Sequence, residues 1–191
     1  MAAAWVLARA HGVGGFSLHA LARALGVRQP SICAHFDSKH ALYDAMFADG
    51  NRQLVEHLKG LQLPSDPRAA VKVFTHAWVD FALEDPVRYS VLFQRPVPGY
   101  QPSPEAYANA QAAFTPVGVL LQAAGIDDPE DVDCCVAMVA GLMESQAAQE
   151  LGGPLRDPRQ FLPPLVYTTT RGSLPIRKRP GCSTSRSSAY R

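Results

Sequence analysis

Apolar residues recur at helical spacing along the first 150 positions of the chain. The clearest stripe places four apolar residues at i, i+3, i+4 and i+7, namely Leu18, Leu21, Ala22 and Leu25. Ser17 precedes this stripe as a good N-cap, and Gly26 follows it as a helix terminator. A shorter stripe runs through residues 2–11 and stops at a glycine-rich turn. The pattern therefore predicts helices over 2–11 and 18–25.

Further helices follow at spacings that favour a helical fold throughout. A short helix is expected at about 29–35, where Pro30 is tolerated only because it lies in the first turn. Ser38 caps a longer one over about 39–59. The remaining predicted helices cover about 67–84, 87–94, 104–124 (interrupted or kinked near Pro116), 128–151 and 158–167. The predicted fold is all-α, with an N-terminal three-helix helix-turn-helix head joined by a long helix to a C-terminal helical body.

Composition changes abruptly after Tyr167. Residues 171–191 contain six basic residues and no acidic ones, so the rest of the chain carries a net charge of about −5. Because residues 169–191 are rich in Ser, Thr and Arg and have no apolar period, we expect a basic, disordered tail. Residues 1–60 hold six basic and four acidic residues. This distribution of charge, a mildly basic head on an acidic body, is expected of a head that approaches phosphates.

Cysteine usage and hydropathy restrict the class of protein. The four cysteines show no spacing typical of a zinc site, and buried, reduced thiols are the simple expectation. No metal or cofactor is predicted. No apolar run is long enough to span a membrane, so we expect a cytoplasmic protein without a membrane partner. A nucleophile elbow, a phosphate loop and paired catalytic carboxylates are all missing, so the sequence does not favour an enzyme.

The segment from Ser17 to Leu42 has the order of elements that helix-turn-helix proteins use on duplex DNA. At the start of its short helix, Gln29 suits an adenine edge, Arg28 suits guanine or phosphate, and Ser31 suits either. Other polar residues lie where the elements would meet the DNA backbone and would position the head. On spacing alone, a plain helical hairpin explains the segment equally well.

A specific combination of residues separates these alternatives. It comprises Leu21–Ala22, Gly26–Val27, His35–Phe36, Ser38–Lys39 and Leu42. This combination closely resembles the DNA-binding region of tetracycline-repressor (TetR) family regulators. The resemblance implies a phosphate contact for Lys39. It also implies a double-stranded DNA interface formed by Ser17, Arg28, Gln29, Pro30, Ser31, Cys33, Ala34, His35 and Lys39.

Two of these positions keep a second interpretation. His35 is equally well explained as a core or surface histidine without a phosphate contact. Cys33 stands where the family usually has an aromatic residue, most often Tyr, whose hydroxyl reaches the DNA backbone, and a thiol cannot supply that contact.

The resemblance also implies a division of labour along the chain. Residues 1–45 would form the DNA-binding domain and residues 46–168 a domain for ligand binding and dimerisation. The candidate ligand-binding residues, suited to a flat or apolar effector of unknown identity, are Phe74, Trp78, Phe81, Tyr89, Phe93 and Met138. For any one of them, simple filling of a helical core is the alternative.

We therefore expect a ligand-responsive repressor. It would act as a homodimer, through 128–151 and 158–167, on a palindromic operator. The competing hypothesis is a decayed helical binding module with weak or no DNA binding.

Overall fold

The structure, a computed structural model, describes residues 1–94 and 96–149, and its regular elements in those ranges are all helical. In chain order they are α1 (Ala2–His11), α2 (Leu18–Leu25), α3 (Gln29–Cys33), α4 (Lys39–Lys59), α5 (Pro67–Glu84), α6 (Pro86–Tyr89), the π-helical segment π1 (Ser90–Gln94), α7 (Pro104–Ala123) and α8 (Pro129–Gln149). The predicted all-α fold is confirmed. The predicted helix over 158–167 and the tail over 169–191 lie outside the described residues.

Most predicted helices lie where the pattern placed them, with three differences. The third helix ends at Cys33, so Ala34 and His35 follow it in a turn. The predicted single helix over 87–94 is divided into α6 and π1. The predicted interruption near Pro116 is wrong, because α7 continues through this residue. Pro116 and Ala112 are both exposed, so the carbonyl group that loses its helical donor can bond to water.

One capping device begins five of the described helices. The side chains of Ser17, Ser38, Asp66, Asp85 and Ser103 each accept a hydrogen bond from the backbone N–H three residues later, at 2.8–3.1 Å. Proline occupies the first turn of α5 and α7, where its missing N–H costs nothing. The local sequence thus defines where these helices start.

The turn between α2 and α3 depends on Gly26. Its φ of 67° is left-handed, and its N–H and that of Val27 both bond to the Ala22 carbonyl. This turn directs α3 across α2, where Ile32 is buried. Leu25, the last residue of the apolar stripe, is 51% exposed.

The helix α4 runs through the centre of the described fold. Leu42, Met46 and Leu54 are almost fully buried, in a cluster that also takes in Trp5 of α1 and Phe81 of α5. The border predicted at residue 45 therefore falls inside one continuous helix with one continuous core. No helix among the described residues is long and apolar enough to cross a bilayer.

Two cysteine thiols are more exposed than the sequence predicted. Cys33 and Cys134 are exposed rather than buried, because each lies on the outer side of a short or peripheral helix.

Candidate nucleic-acid interface and cavities

The outer surface of α2 and α3 gathers most of the predicted DNA-binding residues. Ile32 is the buried residue of α3, so the rest of this five-residue helix faces away from the core. Eight of the nine predicted residues are exposed, and they are Ser17, Arg28, Gln29, Pro30, Ser31, Cys33, Ala34 and His35. Lys39 is half-buried. The first turn of α3 is therefore free to contact another molecule.

Three of these side chains have contacts within the head. The Ser17 hydroxyl caps α2, and Gln29 Oε1 lies 3.1 Å from His19 Nδ1. Lys39 Nζ donates to the carbonyl oxygen of Gly14 at 2.6 Å and lies 5.6 Å from the centre of the Tyr43 ring. Lys39 thus also holds the turn between α1 and α2 against α4.

A first cavity of about 140 Å³ lies between α5, π1, α7 and α8. Its walls include five of the six residues predicted to bind a ligand, which are Phe74, Trp78, Tyr89, Phe93 and Met138. Phe81 is not among the lining residues. It packs instead under the guanidinium of Arg88, 3.6 Å from the ring centre, and beside His57.

Sequence reasoning missed most of the opposite wall of this cavity. Further lining residues come from α7, the following turn and α8, and include Ala113, Phe114, Val117, Leu121, Ile126, Cys135, Val136 and Val139. Their apolar spacing along two helices was visible in the sequence. Nothing local indicated that the two helices would meet over α5.

The two hydroxyl groups in the first cavity are already engaged. Thr75 Oγ1 donates to the Val71 carbonyl at 2.8 Å, and the Tyr89 hydroxyl lies 3.3 Å from a Glu144 carboxylate oxygen. Burial, reinforced by the negative charge of Glu144, raises the pKa of Tyr89 to about 12, so the phenol stays neutral at pH 7. No charged side chain lines the described wall. The cavity thus suits an uncharged, apolar molecule.

Polar contacts connect the end of this cavity to the first helix. Arg9 of α1 donates to Asp85 Oδ2 from Nε at 3.0 Å and from Nη2 at 2.5 Å. Asp85 also caps α6, and Arg88 in that helix donates to Gln53 of α4 at 3.0 Å. Because Tyr89 is the next residue, one short element touches the cavity, α1 and α4.

The central helix is held by two further carboxylates. Asp44 accepts from the Tyr100 hydroxyl at 2.9 Å and from the Ser103 backbone and hydroxyl at 2.8 and 2.6 Å. Asp49 accepts from Trp5 Nε1 at 2.8 Å. Burial alone would raise the pKa of both carboxyls, but these hydrogen bonds outweigh it and lower the pKa below the usual value. Both groups are therefore ionised bridges from α4 to its neighbours.

Two family models match the sequence. Residues 1–46 match the model for bacterial regulatory proteins of the tetR family, and residues 71–166, half of the chain, match the tetracyclin repressor-like C-terminal domain. The chain belongs to the TetR family. The resemblance stated from the helix-turn-helix motif is thereby confirmed.

Relatives of this TetR-family chain are similar over part of their length. The uncharacterized HTH-type transcriptional regulator YobS of Bacillus subtilis is 32% identical over 87 residues, which is 46% of each chain. The HTH-type transcriptional regulator Rv1816 of Mycobacterium tuberculosis is 29% identical over 105 residues, which is 52% of this chain and 44% of the relative. The chain thus spans less than half of the length of these relatives.

Solved structures agree over most of the fold. A protein of unknown function from Rhodococcus sp. RHA1 is 25% identical, with a TM-score of 0.68 over 90% of this chain and 91% of its own. The TetR family transcriptional regulator PfmR from Thermus thermophilus has a TM-score of 0.63 at 19% identity, over 88% of this chain and 95% of its own. The second likeness concerns the fold alone.

Proposed function

We propose that this chain is a DNA-binding transcriptional repressor that acts as a homodimer on a palindromic operator and responds to a small effector. The observation that carries the proposal is the exposed first turn of α3 in a TetR-family head, with Arg28, Gln29 and Ser31 free of the core. Residues 1–45 would bind DNA and residues 46–168 would bind the effector and the second subunit. The proposed location is cytoplasmic, where bacterial DNA lies.

The expected roles at the DNA follow from side-chain chemistry. Gln29 presents an amide for an adenine edge, and Arg28 presents a guanidinium for guanine or phosphate. Ser17, His35 and Lys39 would contact the DNA backbone and fix the orientation of the head. Lys39 would have to leave the Gly14 carbonyl, or share its protons between that carbonyl and a phosphate.

The effector would bind in the first cavity. Its apolar walls and its contact with Tyr89 and Phe93 support an uncharged, apolar ligand. Because the same segment carries Asp85 and Arg88, movement there would shift α1 and α4 together. A ligand changes the affinity for DNA only if it binds more tightly to one arrangement of these helices than to another.

The homodimer would form through α8. On this helix, Cys134, Ala137 and Gly141 are exposed and share one side at i, i+3 and i+7, so a second helix could approach closely. Two heads related by a two-fold axis would contact two half-sites at least one helical turn apart. This geometry supports a palindromic operator.

One observation favours the alternative, a decayed helical module with weak or no DNA binding. Cys33 is exposed on α3 where the family usually presents an aromatic residue. A thiol is a weak hydrogen-bond donor, so one expected backbone contact would be lost.

The two functions are separated by gel mobility shift on the intergenic DNA upstream of the protein's own gene, across a salt series. The repressor should protect a palindrome, and its binding should weaken steeply with salt because phosphate contacts release counterions. Failure to bind at low salt by a folded protein would support the decayed module.

The same assay distinguishes the roles of Gln29 and Lys39. Gln29→Ala should cost about 1–3 kcal/mol on the preferred sequence and relax the preference there. Lys39→Ala should weaken binding to all sequences alike and reduce the salt slope by about 1. Lys72→Ala, which removes an exposed charge from α5, is the control and should leave binding unchanged. Equal effects of the first two variants on every sequence would contradict the assigned roles.

A further inference from the structure

A second cavity lies on the other side of π1, against the central helix. Its volume is about 370 Å³, and α4, π1, the loop before α7 and α7 itself form its walls. Phe93 and Phe114 line both cavities, and their rings meet edge to face at 6.1 Å between centres. This aromatic pair forms part of the wall that the two spaces share.

The second cavity contains a buried polar group that has a spare acceptor. Asn51 of α4 is 1% exposed, and its Nδ2 donates to the Phe47 carbonyl at 2.9 Å. Within the described part of the chain, no donor reaches Asn51 Oδ1. An amide oxygen has two lone pairs, so Asn51 Oδ1 is able to accept a hydrogen bond from a molecule bound in the cavity.

The rest of the wall determines which ligand suits this amide. Aromatic rings come from Phe47, Tyr100 and Tyr107 in addition to the shared pair, and no charged side chain lines the described wall. The Tyr100 hydroxyl already donates to Asp44, and the other polar side chains of the wall, Tyr107 and Gln111, are exposed to solvent. An apolar cavity of about 150 Å³ accommodates benzene. The second cavity is therefore large enough for one ring that carries a polar substituent.

We propose that the second cavity is a binding site for a small, uncharged aromatic molecule with a hydrogen-bond donor, such as a phenol, and that Asn51 Oδ1 accepts from it. The ring packs among the aromatic side chains, and the donor points at α4. The site is distinct from the apolar first cavity, whose two hydroxyl groups, on Thr75 and Tyr89, are engaged. Its occupancy braces α4 against π1 and α7.

The test uses two matched probes, 4-fluorophenol and 4-fluorotoluene, with binding measured by fluorine NMR on the full chain. Asn51→Leu keeps the side-chain volume and removes the acceptor. One hydrogen bond contributes about 1 kcal/mol, so the affinity ratio of the phenol to the toluene should fall about fivefold in this variant. Thr75→Val removes a hydroxyl from the first cavity and should leave the ratio unchanged.

Two further measurements locate the probe. The side-chain amide signal that disappears in Asn51→Leu should shift with 4-fluorophenol and not with 4-fluorotoluene. Ala110→Leu, which narrows the second cavity and leaves Asn51 intact, should weaken phenol binding, and it serves in place of Asn51→Leu should that variant fail to fold.

An unchanged ratio in Asn51→Leu, an equal fall in Thr75→Val, or undiminished binding to Ala110→Leu would each overturn the proposal. Since no DNA enters the test, its failure is separate from that of the repressor function.

Discussion

Gly26 occupies the turn on which the geometry of the head depends. Its left-handed φ of 67° lets two backbone N–H groups reach the end of α2 and places α3 across it. A side chain there meets no neighbouring atom within 4 Å, so any penalty comes from the backbone. Gly60 ends α4 with a φ of −77° and has equally open surroundings, which makes it a matched control.

Gly26→Ala should lower the free energy of unfolding by about 1–2 kcal/mol, because an L residue is strained in the left-handed region. Gly60→Ala should instead raise it by about 0.4–1 kcal/mol, since alanine restricts the unfolded chain at no native cost. Urea denaturation followed by circular dichroism measures both. If the free energy of unfolding changed in the same direction in both variants, the left-handed turn would not depend on glycine at position 26.

Asp85 joins the first helix to the body through Arg9. Burial alone would raise the pKa of Asp85, but hydrogen bonds from Arg9 and the Arg88 backbone, with their positive charges, lower it below its usual value. A carboxyl with a lowered folded-state pKa stabilises the fold above its unfolded pKa of about 3.9. That stabilisation is lost as the pH falls through the lower folded value.

Asp85→Asn keeps a good N-cap for α6 and removes the charge. At pH 7 it should cost about 0.5–1 kcal/mol, because Arg9 is half-exposed and the pair is screened by water. The difference from the parent protein should shrink as the pH falls from 5 to 3, as measured by urea denaturation at each pH. If the difference in the free energy of unfolding stayed constant over this pH range, the contact between Arg9 and Asp85 would not depend on an ionised carboxylate.

At the scale of single elements, π1 is the segment that bears on both cavities. Tyr89 precedes it, Phe93 lies within it, and Val91 and Leu92 pack towards α4. A π turn adds one residue to the helical period, which rotates the side chains that follow, and such turns are frequent at functional sites. Gly50 permits the close approach, since a Cβ there would lie 3.0 Å from Leu92 Cδ2.

The helix α7 contains a proline that the fold tolerates without a break. Pro116→Ala should raise the free energy of unfolding by about 1–3 kcal/mol, because proline is the poorest residue in a helix interior. Pro104→Ala, in the first turn of the same helix, should have no such benefit, since proline suits that position. Thermal unfolding compares the two. Equal effects would mean that α7 bears no penalty at Pro116.

At the scale of the whole molecule, the exposed side of α8 is the proposed contact between subunits. Ala137→Glu should yield a folded monomer with greatly weakened operator binding, because it places a charge between two closely packed helices. Ala112→Glu makes the same exchange at an exposed position of α7 and should remain dimeric. Analytical ultracentrifugation measures the change, and a dimeric Ala137→Glu protein would place the interface elsewhere.

The sequence by itself determined the helices and the character of the head. Caps such as Ser38 and Asp66 and the apolar stripe of α2 are local signals, which is why the bounds of α4 and α5 were predicted correctly. The motif around His35 and Phe36 identified the family for the same reason: its residues are close together in the chain.

Only the tertiary structure decided which side chains meet across helices. Arg9 and Asp85 are 76 positions apart, so no local pattern indicates that they pair. Phe81 was expected beside a ligand, but it packs under Arg88 and leaves its place to residues from α7 and α8. Asn51 is a polar residue in the middle of the long helix α4. Its burial beside a cavity follows from the packing of α4 against π1 and α7, which no local pattern encodes.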